Sequence, residues 1–250
     1  MTPFIRLLLT LALLGAVTGL RAETVQVAVA ANFTAPMNAI AASFARDTGH
    51  QARLAFGSTG KLYAQIRNGA PFEVFLAADQ ETPARLEKDA AAVASSRFTY
   101  ATGQLVLWSP RAGVVDSQGE VLRRNEFQHL AIAAPKLAPY GAAAVETLTR
   151  LGLMQRVAPK LVLGESIGQA FSFVASGNAQ LGLVALSQVY EDGRIKTGSG
   201  WVVPARWHEP LRQDAVQLVR GQANPAAAAL MDYLKTDKAR AIIRAHGYGD

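Results

Sequence analysis

The chain has 250 residues, a formal net charge of +6 and no cysteine. Without cysteine it forms neither a disulfide nor a thiolate metal site. Its basic residues are scattered along the chain rather than interleaved with aromatic residues in one strip, so we expect no nucleic-acid partner. The length suits one large or two small α/β domains.

The first residues are typical of a secretion signal. Arg6 provides a positive charge, residues 7–17 are almost entirely apolar, and the small residue Ala22 lies at a position suited to cleavage. The apolar run is too short for a comfortable membrane span. We therefore expect residues 1–22 to be a signal peptide cleaved near Ala22, and the mature chain to be exported without a membrane span. No cysteine follows the segment, which excludes a lipoprotein anchor.

The mature chain begins with a strand, a polar turn and a helix. Residues 25–30 are rich in valine, Asn32 lies in the turn, and apolar residues then recur at helical spacing as far as Gly49. Thr34 is predicted to be the N-cap of this helix. Asn32 is either an ordinary turn residue or a ligand contact, and both interpretations stay open at this point.

A second strand, turn and helix follow in residues 54–66. Here Ser58 and Thr59 stand between two glycines, where a helix begins. The first N–H groups of a helix have no partner within it, and with two hydroxyls and the helix dipole they form a seat for an anion. An ordinary helix cap is the alternative. A phosphate-binding loop is excluded because Gly57 lies only three residues before Gly60 and Leu62 replaces the metal-binding hydroxyl.

The same order of strand, loop and helix recurs through the rest of the chain. The predicted elements are strands at 72–77, 104–108, 130–133, 160–163, 181–184, 201–204 and 214–219, and helices at 83–88, 142–151, 171–177 and after Asn224 and Thr236. Asp79 is predicted to cap the helix at 83–88. This alternation predicts mainly parallel sheets covered by helices on both faces. Ligands bind such sheets beyond the carboxyl ends of their strands.

Four turns lie at such strand ends: at Asn32, at Ser58–Thr59, at Tyr140 and at Ser166–Ile167. They offer backbone N–H groups, hydroxyls and one amide, but neither a histidine nor a pair of carboxylates. Ser58 lacks the G-x-S-x-G surroundings of a hydrolase nucleophile and has no visible base, so we expect no enzyme. Neutral donors suit a small, fully ionised oxyanion and reject a competitor whose O–H group finds no acceptor.

The four histidines, His50, His129, His208 and His246, lie outside these turns. We expect each of them at the surface or at the edge of the fold.

Residues 27–34, 56–66, 68–79 and 232–235 together resemble the periplasmic molybdate-binding proteins of ABC transporters. The resemblance covers essentially the whole mature chain, and the second and third segments are quite specific. It implies a two-lobed α/β fold of the type II periplasmic-binding-protein family, with the ligand in the cleft between the lobes. It further implies a periplasmic protein that closes over molybdate or tungstate and delivers the ion to a membrane permease driven by an ATPase.

The resemblance also implies the residues that hold the ion. Asn32 and the hydroxyls of Ser58 and Thr59 bind it from one lobe, and the backbone N–H groups of Tyr140 and Ile167 bind it from the other. Thr59 is expected to be the main hydroxyl donor, with Ser58 next. Molybdenum is thus expected only as the bound oxyanion, without a separate cofactor, in a monomeric protein.

Two positions depart from the pattern of some family members. Asn32 stands where some members have a serine, which places this chain with the asparagine-bearing members. Ala185 stands where some members have a tyrosine that reaches the ion, and nearby Ser187 is a candidate to replace that donor. Separately, Glu165 is an unfavourable neighbour for an anion, so we expect its side chain to turn away.

The resemblance implies that residues 23–104 and 205–250 form one lobe and residues 105–204 the other, joined near 103–105 and 203–205, where hinges allow closure. Two alternatives remain: a receptor of the same fold for sulfate or thiosulfate, and a secreted hydrolase that uses Ser58 or Ser187.

Overall fold

The computed structural model describes residues 22–191 and 193–249. The predicted signal peptide lies outside the described residues except for Ala22. The strands are β1 (Thr24–Ala30), β2 (Gln51–Gly57), β3 (Val74–Leu76), β4 (Phe98–Gly103), β5 (Leu105–Ser109), β6 (Leu130–Ala133), β7 (Leu161–Gly164), β8 (Leu181–Ala185), β9 (Tyr190–Glu191), β10 (Arg194–Ile195), β11 (Ser199–Val202) and β12 (Leu211–Gln217). The helices are α1 (Thr34–Thr48), α2 (Thr59–Arg67), α3 (Glu81–Lys88), α4 (Glu120–Arg124), α5 (Pro139–Arg150), α6 (Met154–Val157), α7 (Ile167–Ala175), α8 (Pro225–Tyr233) and α9 (Asp237–Ala245).

Ten of the strands in the described residues form two five-stranded sheets, in the orders β2-β1-β3-β12-β4 and β11-β5-β8-β6-β7, and β9 pairs with β10 in a small two-stranded sheet. We call each five-stranded sheet with the helices packed on it a lobe, the first lobe being the one that contains β1. In each five-stranded sheet four strands run in one direction, and one strand, β12 or β5, is reversed. The predicted two-lobed α/β fold is therefore confirmed.

The first sheet is buried on both faces, which explains why β1 is apolar and buried from Val27 to Ala30. Val25, Val27 and Val29 lie in one core cluster with α1, α8 and α9, whereas Ala28 lies in another with α2 and α3. The second sheet carries its own core, to which α5 and α7 contribute. Each lobe is therefore packed around its own sheet: the first lobe has one cluster on each face of its sheet, and the second lobe has a core of its own.

The chain passes between the sheets where one strand ends and the next begins. β4 ends at Gly103 in the first sheet and β5 begins at Leu105 in the second; the return lies between Val202 and Leu211. The lobes touch across the cleft, because Gly60 N–H donates to the Leu137 carbonyl at 2.9 Å. A Cβ at Gly60 would lie 3.1 Å from that oxygen, so a larger residue would hold the lobes apart.

Two local predictions are wrong, and one strand was missed. Helical structure begins at Ala31, in a 3-10 turn that continues into α1, so Thr34 is no N-cap; its hydroxyl donates back to the Ala31 carbonyl. The strand β4 was not predicted, because its residues alternate only weakly between polar and apolar. The late strand predicted at 214–219 begins earlier, at Leu211.

Asp79 caps α3 as predicted, accepting from Thr82 N–H at 2.8 Å. Within the described residues, we find no helix with the length and apolar character needed to cross a bilayer.

Candidate functional site

The four predicted turns meet at one small cavity between the lobes. Its walls are residues 30–32, 57–59 and 138–140, together with Ala78 and Ile167. The cavity volume, counted as positions open to the centre of a water molecule, is about 10 Å³. That is roughly the space of one water and far below the ~300 Å³ of pockets for drug-sized ligands. The cavity thus suits a ligand of very few atoms.

Four helix beginnings point at this cavity. The 3-10 turn starting at Ala31, α2 at Thr59, α5 at Pro139 and α7 at Ile167 all begin among its lining residues. Each begins directly after a parallel strand or the short loop that follows it, which is why all four beginnings share one end of the two sheets. Together they direct free N–H groups and the positive ends of four dipoles toward the same space.

Ser58 lies at the N-cap position of α2 but does not act as a cap. Its side chain makes no capping hydrogen bond, and its Oγ is buried without any hydrogen-bond partner. A buried hydroxyl without a partner is costly in a folded protein and is usually explained by a ligand, a water or a strained site. Because Ser58 lines the cavity, its hydroxyl is available to a bound ligand.

Thr59 has a different environment, although it is equally buried. Its Oγ1 accepts a hydrogen bond from Ala78 N–H at 3.0 Å, which ties α2 to the end of β3. The geometry therefore distinguishes the two hydroxyls: the oxygen of Thr59 holds the wall of the cavity while its proton stays available to donate, and the Ser58 hydroxyl has no partner among the described residues.

Asn32 is buried and lines the cavity, yet its amide N–H groups are directed elsewhere. Nδ2 donates to Gln213 Oε1 at 2.8 Å and to Tyr248 Oη at 3.0 Å. Its backbone lies in the first helical turn after β1, where N–H groups lack helical partners. The backbone of Asn32, rather than its side-chain nitrogen, is thus the part free to face a ligand.

Tyr140 and Ile167 are cavity residues that belong to the second lobe. Tyr140 is the second residue of α5 and Ile167 the first residue of α7, so the N–H group of each belongs to a first helical turn. The Ser166 hydroxyl caps α7 by accepting from Gln169 N–H. The backbones of Tyr140 and Ile167 can therefore donate into the cavity while the two side chains stay buried in the second lobe's core.

Within the part of the chain that the structure describes, no charged side chain lines the cavity. Tyr140 is the one titratable lining residue, and burial raises the pKa of its hydroxyl well above the usual value, so it stays neutral. Burial also raises the pKa of the neighbouring carboxyl group of Asp79. Glu165 lies outside the cavity, two-thirds exposed, in an ion pair with Lys61 across the cleft. An anion held here is bound by dipoles and hydrogen bonds alone.

A larger groove of about 530 Å³ opens beside the cavity, between the lobes. Its walls carry Asp79, Glu81, Glu146 and Glu209 against the cations Lys136 and Arg212. The surplus of carboxylates makes this groove a poor seat for an anion. It shares Thr59, Ala78, Ala138 and Pro139 with the cavity and forms its approach.

Ser187 does not line the cavity; its Oγ donates to the Asn32 carbonyl at 2.7 Å instead.

The expectation that the histidines lie at the surface or at the edge of the fold is wrong for two of them. His50 is buried with its ring stacked on Phe44, and His208 is buried with Nδ1 against the Glu209 carbonyl. Imidazole rings have enough apolar surface to be buried when a ring nitrogen finds a partner.

Comparison with known proteins agrees with this architecture. The family model described as bacterial extracellular solute-binding protein matches residues 25–249. The molybdate-binding protein ModA of Azotobacter vinelandii is 62% identical over 229 residues, which cover 92% of this chain and 91% of that protein. The molybdate-binding protein ModA of Rhodobacter capsulatus is 50% identical over 222 residues, covering 88% and 86%.

Solved structures give the same result. The periplasmic molybdate-binding protein of Azotobacter vinelandii superposes with a TM-score of 0.88 at 44% identity, covering 90% of this chain and 99% of that one. The sulfate-binding protein SubI of Mycobacterium tuberculosis superposes with a TM-score of 0.73 at 14% identity, covering 91% of this chain and 86% of that one, which is a likeness of fold. The chain belongs to the bacterial extracellular solute-binding protein family, together with these molybdate-binding relatives.

Proposed function

We propose that this protein binds molybdate or tungstate in the cavity between its lobes and delivers the ion to an ABC transporter in the membrane. The observation that carries the proposal is the buried, unpartnered Ser58 hydroxyl among four helix beginnings. A tetrahedral dianion brings only acceptors, and such a cavity offers only donors. The names of the two relatives at 62% and 50% identity support the choice of ion.

Binding replaces the water shell of the anion with fixed donors from both lobes. The Ser58 hydroxyl and the amides of the first helical turns at Asn32 and Thr59 act from the first lobe. The amides of Tyr140 and Ile167 act from the second. Because the two sets belong to different lobes, the ion holds the lobes together and stabilises the closed state.

Selectivity follows from protonation and from size. A singly protonated phosphate brings an O–H donor that finds no acceptor among the amides; if the Ser58 oxygen accepts it, an anion oxygen loses that contact, so phosphate binds weakly. Sulfate is fully ionised but smaller than molybdate, so its oxygen atoms meet the donors of the two lobes at different distances, and contacts such as Gly60 with Leu137 restrict how far the lobes adjust to it.

The remaining roles belong to the same proposal. Residues 23–104 with 205–250 and residues 105–204 are the two lobes that close, and residues 1–22 are the signal peptide that directs a monomer to the periplasm. A permease and its ATPase are the partners. The protein performs no chemistry on the ion, in keeping with relatives that are binding proteins.

Calorimetric titration with molybdate, tungstate, sulfate and phosphate at neutral pH tests the proposal. We expect molybdate and tungstate to bind at least about 100-fold more tightly than the other two, which is a difference of roughly 2.7 kcal/mol. Sulfate binding as tight as molybdate would favour the sulfate-receptor alternative, and the absence of heat with all four anions would refute oxyanion binding.

A further inference from the structure

Behind the cavity, five buried polar residues form a group that we call the interlobe cluster: Asn32, Tyr140, Ser187, Gln213 and Tyr248. The exposed fraction of each is 6% or less. Asn32, Gln213 and Tyr248 belong to the first lobe, and Tyr140 and Ser187 to the second. Only Asn32 and Tyr140 also line the cavity.

Gln213 connects the two cavity residues. Its Oε1 accepts from Asn32 Nδ2 at 2.8 Å, and its Nε2 donates to Tyr140 Oη at 3.1 Å. Gln213 lies on β12, the reversed strand of the first sheet, and is fully buried. One side chain therefore fixes the first-lobe and second-lobe cavity residues relative to each other.

Tyr248 and Ser187 hold the other side of Asn32. Tyr248 Oη accepts from Asn32 Nδ2 at 3.0 Å and lies 2.8 Å from the Asn32 carbonyl. The Ser187 hydroxyl donates to that carbonyl at 2.7 Å and lies 3.1 Å from Tyr248 Oη. The side chain and the backbone of Asn32 are thereby both anchored, and one of the anchors comes from the second lobe.

The cluster lies against the point where the chain passes from the first sheet to the second. A Cβ at Gly103 would lie 2.1 Å from Tyr140 Oη and 2.4 Å from Gln213 Nε2. The cluster is thus in direct contact with the segment that joins the lobes, and this segment sets their relative position.

We infer that Gln213 and Tyr248 are positioning residues of the anion site: through Asn32 and Tyr140 they hold the donors of the two lobes at the separation that the anion requires. This inference rests on the proposed function. Neither residue lines the cavity, so each acts on the ligand through another residue. Burial keeps all three tyrosine hydroxyls here, including that of the adjoining Tyr100, neutral and able to donate.

The test compares two deletions of a single hydroxyl, Tyr248→Phe and Tyr233→Phe. Tyr233 is a control because its buried ring also carries a hydrogen-bonded hydroxyl, which donates to Asp47 at 2.6 Å within the first lobe. We expect Tyr248→Phe to weaken molybdate binding about five- to tenfold, mainly through faster dissociation, and Tyr233→Phe to change it less than twofold. Calorimetry gives the affinity and stopped-flow tryptophan fluorescence the dissociation rate.

A merely structural role gives a different result. If both variants lose a similar amount of melting temperature and both keep the wild-type dissociation rate, Tyr248 does not position the site and the inference is overturned. If Tyr248→Phe does not fold, Gln213→Met decides, because it removes the bonds to Asn32 and Tyr140 and is expected to cost at least three- to fivefold in affinity; an unchanged affinity overturns the inference. Wild-type protein that binds no molybdate contradicts the proposed function itself, which is a separate outcome.

Discussion

The cavity and the interlobe cluster lie side by side and share Asn32 and Tyr140, but they differ in whether their polar groups have hydrogen-bond partners. In the cluster, the amide nitrogen and carbonyl of Asn32, both ends of the Gln213 amide and the Tyr248 hydroxyl all have protein partners. In the cavity, the Ser58 hydroxyl has none, and the first-turn amides of four helices face the same space.

The difference separates a scaffold from a binding site. A network whose partners are all present adds rigidity and takes up no ligand. A cavity with unmatched donors carries a cost in the free protein that a bound acceptor relieves. Residues that look equivalent in the sequence, such as Ser58 and Thr59, therefore have different roles, and substitutions should separate them.

The largest effect is expected from a negative charge placed inside the cavity. Ser58→Asp sets a carboxylate against a dianion; one pair of unit charges at ~4 Å near a protein surface is worth about 4 kcal/mol. We expect molybdate affinity to fall at least about 100-fold in calorimetry. Circular dichroism of the free variant supplies the control for folding, and near-wild-type affinity would mean that the anion lies elsewhere.

Removal of the two hydroxyls should separate their roles. Ser58→Ala loses a donor to a charged acceptor, worth roughly 1.5–3 kcal/mol, so we expect at least about tenfold weaker binding and little change in melting temperature. Thr59→Val keeps the shape but leaves Ala78 N–H without its acceptor. That change should lower the free energy of unfolding by about 1–3 kcal/mol and change affinity less than about threefold. The reverse pattern would identify Thr59 as the main hydroxyl donor, as the sequence predicts.

The pH dependence of binding should be small. Tyr140 is the one titratable residue that lines the cavity, and its pKa is raised, so its hydroxyl stays protonated as pH rises through the physiological range. We expect molybdate affinity to vary less than about twofold between about pH 6 and about pH 9. A transition within that range, followed by calorimetry in several buffers, would reveal an ionisable group at the anion.

The smallest effect is expected at the mouth of the cleft. Lys61 and Glu165 form an ion pair between the lobes, with side chains 45% and 67% exposed. Exposed pairs contribute about 0–1 kcal/mol, so Lys61→Met should weaken binding less than about fivefold. The change should appear chiefly in the salt dependence of the association rate. A loss as large as that of Ser58→Ala would show that Lys61 contacts the anion.

Local pattern was sufficient to predict the strands that precede the site. The turns at Asn32, Ser58, Tyr140 and Ile167 follow apolar runs, either directly or after a short loop, and the rule that ligands bind beyond the carboxyl ends of parallel strands brought them together. The reversed strands β5 and β12 could not be predicted in direction, because direction depends on how the chain passes between sheets rather than on a strand's own residues.

Two features of the site required coordinates. Ser58 and Thr59 are neighbours of similar chemistry, and only the backbone of the turn decides which hydroxyl reaches Ala78 and which is left without a partner. Gln213 and Tyr248 stand 181 and 216 positions from Asn32, in a strand and a C-terminal segment without a recognisable motif. A buried polar residue of this kind gives no signal in the sequence beyond its own identity.

Diffraction from crystals grown with molybdate, recorded at the molybdenum absorption edge, tests the central claim most directly. We expect one strong anomalous peak in the cavity, with oxygen atoms within hydrogen-bond distance of Ser58 Oγ and of the Tyr140 and Ile167 amide nitrogens. A peak in the carboxylate-lined groove, or a peak beside Lys61 at the cleft mouth, would contradict binding by neutral donors.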